Sequence, residues 1–546
     1  MADRLPQWLP WTGLTVAIVA VALIIRPLLP VDETRYLAVA WEMWVRGDFL
    51  VPHLNGATYS HKPPLLFWLM HAGWWVFGVN EWTPRLVAPL FALGSLFLAA
   101  RLSRRLWPED DDAFAYAPWL LFGCGFWTLF TTLTMFDMML AFFALAGISG
   151  IVMAWRGERL TGFAVLALAI GLGVLSKGPA ILLHVLPVAL SAPWWGGRGR
   201  DDAATSHGTW IAWYTGTLGA VVAGAAIALA WAVPAGVAGG EAYRDAIFWG
   251  QSAGRMVESF AHRRAWWWYL VVFPGLILPW ILWPTLWRAA WQGIRWSAGD
   301  VGVRLCAVWF VVALSVFSMI SGKQLHYLLP EFPAVALLMA RWLSNRTSIG
   351  DHGLTDRVFI GGLVVALGAV MIVTEVVVLP WRLPVWFPLL DGWWGLLPLV
   401  AGLGVVASGW SSVRRALPII ATLPAAIVIA VHLAAAPVLD SVYNLKPIAR
   451  HLKDLERNGT PLANFGKYHG QYHFLGRLEA PIDVIGLSEG DEERFLAARP
   501  NGRIVAYYDN LPDQADPVAT YVFRKRTVAI WTAQTMIDHP GIGNRR

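Results

Sequence analysis

Residues 11–69 read WTGLTVAIVAVALIIRPLLPVDETRYLAVAWEMWVRGDFLVPHLNGATYSHKPPLLFWL. The run from Trp11 to Leu29 carries one charge, Arg26. It is long enough to cross a bilayer as a helix, which takes about 20 apolar residues. No small-residue cleavage site follows, so the run predicts a retained first helix, not a removed leader. From Asp32 the character changes, and acids, bases and histidines crowd together as far as Lys62. A membrane span that opens into a dense polar segment is the unit from which the rest of the chain is read.

Twelve further apolar runs lie near 85–103, 114–131, 138–155, 161–175, 178–194, 210–236, 266–287, 303–320, 327–343, 358–379, 394–410 and 416–437. With the first they predict about thirteen transmembrane helices, the pair at 161–194 being the least distinct. Composition agrees: of 546 residues 57% are hydrophobic and 14% charged, where a soluble chain is roughly one-quarter charged. The mean hydropathy is +0.52. Many of the 34 tryptophans close apolar runs, as in Trp194-Trp195 and Trp266-Trp267-Trp268, where amphipathic rings meet a membrane surface. The net charge of +6 is spread over short loops, which argues against nucleic acid. Cys124 and Cys306 sit inside apolar runs and form no metal or disulfide pattern.

Arginine orients the spans. With the N-terminus inside, one loop set holds Arg101, Arg104, Arg105, Arg156, Arg159, Arg198, Arg200, Arg288, Arg295, Arg341, Arg346, Arg357, Arg414 and Arg415, and is expected to be cytoplasmic. The opposite set (31–84, 132–137, 176–177, 237–265, 321–326 and 380–393) is expected to be periplasmic. Residues 1–437 then form a membrane domain with its polar loop at 31–84. An odd number of spans places 438–546 outside, where helix-like 447–457 and strand-like 461–465 and 503–508 predict a small α/β domain.

The outside loops hold the chemistry. From Asp32 a helix is expected whose stripe of Tyr36, Val39, Ala40, Met43 and Trp44 lies flat on the membrane surface. Asp32 and Arg35 share a face; the alternative role of Asp32 is a helix N-cap. His61-Lys62-Pro63-Pro64 opens the next helix and offers a cation for a phosphate. Asp137, Lys177, His262-Arg263-Arg264 and Lys323-Gln324-Leu325-His326-Tyr327 belong to the same side. Each alone reads as an interface anchor. Together they suit an anionic, phosphate-bearing substrate.

In order, Asp32-Glu33-Thr34-Arg35-Tyr36, Arg46-Gly47-Asp48, Pro52-His53-Leu54-Asn55-Gly56, Lys62-Pro63-Pro64-Leu65, Phe136-Asp137, Ser176-Lys177-Gly178-Pro179, His262-Arg263-Arg264 and Lys323-x-x-His326-Tyr327-x-x-Pro330 resemble the polyprenyl-phosphate-sugar glycosyltransferases of the GT-C type. The likeness is nearest to the bacterial lipid A aminoarabinose transferases, which are related to the protein mannosyltransferases. It implies an all-α polytopic fold, a periplasmic C-terminal α/β domain and a site at the periplasmic surface of the inner membrane. It implies catalytic roles for Asp32 and Asp137, and substrate binding by Arg35, Tyr59, Lys62, Lys177, Arg264, Lys323, His326 and Tyr327. In the family a glutamate usually precedes Lys-Pro-Pro; here the residue is His61. That position is associated with a metal site shared with a histidine matching His262, and zinc accepts imidazole ligands.

The resemblance implies transfer of 4-amino-4-deoxy-L-arabinose from undecaprenyl phosphate to a lipid A phosphate. The acids Asp32, Glu33 and Asp137 offer counter-charges to an amino sugar's ammonium. Three other readings stand beside it: mannosyl or hexosyl transfer to protein or another lipid, a transporter or flippase, and a membrane-anchored binding or sensor protein, which leaves the polar first loop unexplained. Transporters tend to carry repeats and ionisable residues near the bilayer midplane, whereas here the polar residues crowd one surface.

Overall fold

The structure, a computed structural model, describes residues 7–197, 207–250, 263–345, 353–376 and 386–544. Helices dominate the first 438 residues, and a small mixed sheet follows. Among the described residues seven helices are long and apolar enough to cross a membrane, including Trp82–Leu106, Asp137–Trp155 and Arg159–Lys177. Each of the thirteen apolar runs carries helix, but the others are short or interrupted. The 114–131 run breaks at Gly123-Cys124, where a side chain on Gly123 would meet the Trp280 ring at 2.3 Å. The 266–287 run is split into Trp268–Leu276 and Pro284–Trp296, with Pro279 and Pro284 denying the backbone the donors that a continuous helix needs. The 327–343 run starts as a 3-10 turn, Leu325–Glu331, before Phe332–Ser344.

The indistinct 161–175 run becomes a full 19-residue helix, Arg159–Lys177. It pairs with Asp137–Trp155, also 19 residues, across a turn containing Gly157 at φ +104°. The two helices approach until a side chain on Gly162 would lie 2.3 Å from the Ala154 backbone nitrogen. Equal lengths out and back return the chain to its starting level, so Asp137 and Lys177 end up side by side. At about 1.5 Å per residue, the 19 residues hold Asp137 about 28 Å from the arginine-bearing end. That far end gathers its own charges: Arg341 meets Asp110 at 2.6 Å and Asp300 at 3.0 Å, and Arg105 meets Glu158 at 2.6 Å.

The 31–84 segment is not a simple loop. It contains the helices Asp32–Arg46 and Leu65–Phe77, joined by a hairpin of β1 (His53–Leu54) and β2 (Ala57–Thr58). The hairpin turn is Asn55-Gly56, both at positive φ, which these residues tolerate best. Nor does the Asp32–Arg46 helix lie flat and open on a surface. Tyr36, Val39, Ala40 and Met43 of its expected apolar stripe are buried, but so are Glu33, Thr34, Leu37, Ala38 and Glu42 on other faces. The reason is a second partner, the C-terminal domain. Trp41 donates to the Leu478 carbonyl at 2.7 Å, and Asn55 exchanges two 2.8 Å hydrogen bonds with the Ile482 backbone.

The last membrane helix ends at Val438. Beyond Lys446–Arg457 come β3 (Leu462–Phe465), β4 (Asp483–Ile485), β5 (Arg503–Tyr508), β6 (Ala519–Phe523) and β7 (Arg526–Thr532). Their order is β4-β3-β5-β7-β6, parallel on one side and antiparallel on the other. Ile504, Ala506 and Tyr508 pack with Phe495 and Met536 on one face; Val505, Val528 and Ile530 pack with Ile448 and Leu452 on the other. Both faces are covered, as strands with parallel neighbours require.

One buried pair anchors the polar segment. Glu33 accepts from the two terminal guanidinium nitrogens of Arg26, and from the backbone amides of Leu29 and Thr134 at 2.8 Å each. Burial alone would raise its carboxyl, but the Arg26 charge and these hydrogen bonds hold it at about 2. Glu33→Gln leaves Arg26 charged, buried and short of its counter-ion. The expected loss is roughly 3–5 kcal/mol, the range for breaking a buried pair. The pair's contribution is fully present above the ordinary carboxylate range and fades as pH falls toward 2. Thermal unfolding in detergent at neutral pH checks it, with Asp32→Asn next door as the control; equal melting of the two variants would remove the pair as an anchor.

Candidate active site

Asp32 is the first residue of its helix, but its side chain caps no backbone amide, which answers the N-cap alternative. Its carboxylate is half exposed and takes Arg35 at 2.8 Å. Tyr36, one turn along the same face, lies 3.5 Å from the same oxygen. Burial first, then the Asp32 charge, pushes the Tyr36 phenol well above its usual range, so it stays a neutral hydrogen-bond donor. Glu33 is turned away and spent on Arg26, so it is not available to an ammonium from a substrate.

Asp137 is buried, opens its helix and is paired with Lys177. His326 Nε2 sits 3.9 Å away. Burial, together with the Lys177 and Lys62 charges, pulls the His326 imidazole down to about 4 despite Asp137 and Asp32. It is therefore neutral at physiological pH. The Lys177 ammonium also lies over the Tyr327 ring, 4.9 Å from its centre, and Lys62 lies over Phe136 at 5.5 Å. Phe136 packs edge-on against Tyr36 at 4.8 Å, which links the two groups of charges through one aromatic bridge. Tyr59 is buried, with the His61 ring 5.4 Å from its own.

Lys62, Lys177, His61 and Tyr327 stand at a cavity of about 600 Å³. The rest of its wall is mostly apolar, including Leu140, Leu182, Leu229, Phe248 and Phe317. Charged heads over an apolar chamber can take an amphiphile with an anionic head. Two expected binders are placed elsewhere. Lys323 is buried and donates to the carbonyls of Arg264 and Ile320. Arg264 is exposed beside a bridge joining Arg263 to Gly322. Neither lines the cavity. His262 lies outside the described residues.

Residues 61–222 match the family profile described as dolichyl-phosphate-mannose-protein mannosyltransferase. An undecaprenyl phosphate-alpha-4-amino-4-deoxy-L-arabinose arabinosyl transferase 2 of Pseudomonas fluorescens is 30% identical over 359 residues, 62% of this chain and 61% of that one. A like-named transferase of Pseudomonas aeruginosa is 32% identical over 333 residues, 59% and 56% of the two chains. The chain thus spans about three-fifths of the length of these curated relatives. Among solved structures, ArnT from Cupriavidus metallidurans bound to undecaprenyl phosphate superposes with a TM-score of 0.75 at 19% identity, covering 95% of this chain and 97% of that one. The fold is that of this solved membrane protein. Over about three-fifths of its length the sequence is similar to the arabinosyl transferases named above. Seven helices long and apolar enough to cross a membrane, among the described residues, fit a multi-pass membrane protein.

Within that fold the Asp137–Lys177 pair has a clear physical signature. Asp137→Asn leaves a half-buried ammonium without its carboxylate, whereas Asp137→Asn with Lys177→Met removes both charges. The single variant is expected to be less stable than the double one, because the lone charge costs more than the lost pair. Unfolding midpoints of the four proteins of this cycle check it; additive losses would mean that the two side chains do not share their charges.

Proposed function

We propose that this chain transfers 4-amino-4-deoxy-L-arabinose from undecaprenyl phosphate to a phosphate of lipid A at the periplasmic face of the inner membrane. The observation that carries it is Lys62 and Lys177 at the apolar cavity, with Asp137 paired to Lys177 and with Asp32 and Asp137 both near enough to His326 for their charges to act on it. The kinship to the arabinosyl transferases supplies the sugar. The periplasmic side rests on the arginine-rich loops gathered at the opposite end.

In the reaction an acceptor phosphate oxygen forms a bond to the sugar's anomeric carbon. The bond from that carbon to the donor phosphate oxygen breaks, and its electron pair leaves with undecaprenyl phosphate. Attack opposite the leaving group inverts the anomeric centre. Lys62 faces the departing phosphate, whose growing charge needs a cation rather than a proton. A phosphate acceptor is already anionic and needs no base. Asp32 then stabilises positive charge developing on the sugar, with Arg35 fixing its rotamer and Tyr36 offering a neutral O–H. Asp137 sets Lys177 in place and keeps neutral His326 beside it.

The test is reconstitution with purified lipid A and the lipid-linked aminoarabinose. The expected product is heavier by one aminoarabinose, and Asp32→Asn is expected to lower turnover at least roughly a hundredfold without shifting the melting point. Transfer of a hexose to peptide or another lipid instead would move the chain to the mannosyltransferase reading that the family profile's description suggests.

Zinc is a separate proposal. Among the described residues no three His, Cys, Asp or Glu side chains cluster as a metal site. His61 would therefore supply one ligand, with His262 and a donor phosphate oxygen completing the shell. No step above is routed through a metal. Metal analysis of protein purified without chelator, beside His61→Ala, decides: stoichiometric zinc lost in the variant supports it, and zinc-free protein with full turnover sinks it.

A further inference from the structure

The aminoarabinose reading accounts for a donor cavity but gives the C-terminal domain no task. A second cavity, of about 550 Å³, lies where that domain meets Pro30 and Val31, the two residues before Asp32. Its chemistry is opposite to the first. Lys467, Arg524, Lys525 and Arg526 face it, with Asp509 as the one carboxylate among its lining residues. Arg526 is paired with Asp509 at 2.9 Å, and Arg524 donates to the Pro30 carbonyl at 3.0 Å. Lys467 and Lys525 are exposed and make no hydrogen bond or ion pair among the described residues. His469, on the same wall, is close enough to Asp32 and Arg35 for their charges to act on its ring.

The backbone also departs from local preference here. β6 and β7 pair Phe523 with Arg526, leaving Arg524-Lys525 as a two-residue turn. Arg524 takes φ +58°, a conformation that favours glycine or asparagine in such turns. A turn held in that region by an arginine points to use of the side chain. Anchored on Pro30, it sets the hairpin tip against the segment that leads into the reaction centre. Four cations that self-repel around one carboxylate are relieved by an anion, and a phosphate monoester accepts several charge-assisted hydrogen bonds at once.

We propose that this cleft seats a phosphate of the acceptor glycolipid's headgroup, so that the C-terminal domain forms the acceptor half of the site through Lys467 and the Arg524-Lys525-Arg526 turn. The inference rests on the transfer reading and names where its acceptor is held. Its ligand class is a phosphorylated sugar headgroup carried by a lipid, which a free phosphate or a bulk anionic lipid would mimic in charge alone.

Binding tests it without turnover. Full-length protein in phosphatidylcholine nanodiscs is titrated with purified bis-phosphorylated lipid A, with the same lipid after phosphatase treatment, and with undecaprenyl phosphate. Lys467→Glu with Lys525→Glu is expected to weaken binding of the phosphorylated lipid about tenfold or more, since two unpaired cations become repulsive. Binding of the dephosphorylated lipid and of undecaprenyl phosphate is expected to stay at wild-type levels. Lys467→Gln with Lys525→Gln should give a smaller loss in the same direction, which guards against misfolding of the reversed variant. Unchanged affinity for phosphorylated lipid A, or equal losses for both forms, would overturn the proposal. So would an equal loss on phosphatidylglycerol nanodiscs, the mark of a general membrane contact. Displacement by inorganic phosphate as readily as by lipid A would make it a free-anion site and overturn it too. A wild-type protein that binds phosphorylated lipid A in this cleft yet transfers no sugar would strike the transfer reading and leave this one standing.

Discussion

Everything at the polar end of this protein hangs on a guanidinium and a carboxylate that water does not reach. Arg26 closes the first membrane helix, Glu33 opens the next, and Thr132 and Thr134 belong to the segment just before Asp137. Arg26 also donates to the Thr132 carbonyl at 2.7 Å, and the Thr134 amide donates to Glu33. The end of the first helix and the start of the next are thereby fixed to a segment a hundred residues further along the chain. Two buried charges are costly unless each hydrogen-bonding position is filled, and here most are. Their value is geometric: with Glu33 turned inward, helix periodicity sends Asp32, Arg35 and Tyr36 to another face.

The same logic explains why a membrane protein would keep so many ionisable groups at one end. Lys177 and Asp137 neutralise each other at the tops of two antiparallel helices whose glycines let them touch. Their charges are therefore held beside an apolar chamber without being released into it. Polar heads above and greasy walls below match the two halves of a lipid phosphate. The C-terminal domain then roofs the 31–84 segment through Trp41, Asn55 and the stacked rings of Trp74 and Phe474. Water-exposed and membrane-embedded parts share one wall.

Much of this was legible from sequence because the membrane imposes a simple rule. An apolar run of about twenty residues has to be helical, since no water is present to satisfy its backbone. Charges that survive at the ends of such runs mark a site or a boundary, and Asp32, Asp137, Lys177 and His326 stand out that way, whereas Lys62 stands out by the Pro63-Pro64 that follows it. What escaped was set by contacts far apart in sequence. Nothing local says that Trp280 fills the space beside Gly123 and breaks a helix there, or that Leu478 receives Trp41. The 13-residue Leu65–Phe77 helix is too short to read as a span and is hidden inside a polar segment. Asn55-Gly56 did carry a usable signal, since that dipeptide favours a tight hairpin. The adjacent acids Asp32 and Glu33 are chemically alike, and only the position of Arg26 decides which one turns inward.

That choice separates the two kinds of carboxylate in the site. An exposed ion pair such as Asp32–Arg35 contributes little to folding, about 0–1 kcal/mol. It is therefore free to exchange partners when a substrate arrives. Asp137 is buried and already matched by Lys177, so drawing it into a reaction would strand an ammonium. Glu33 is more tightly held still, by two guanidinium nitrogens and two amides. Ranked by freedom to act, the acids run from Asp32 to Asp137 to Glu33, and only the first combines solvent access, a loosely held counter-ion and a neutral phenol within reach. The carboxylate that contributes least to stability is the one the geometry leaves for chemistry.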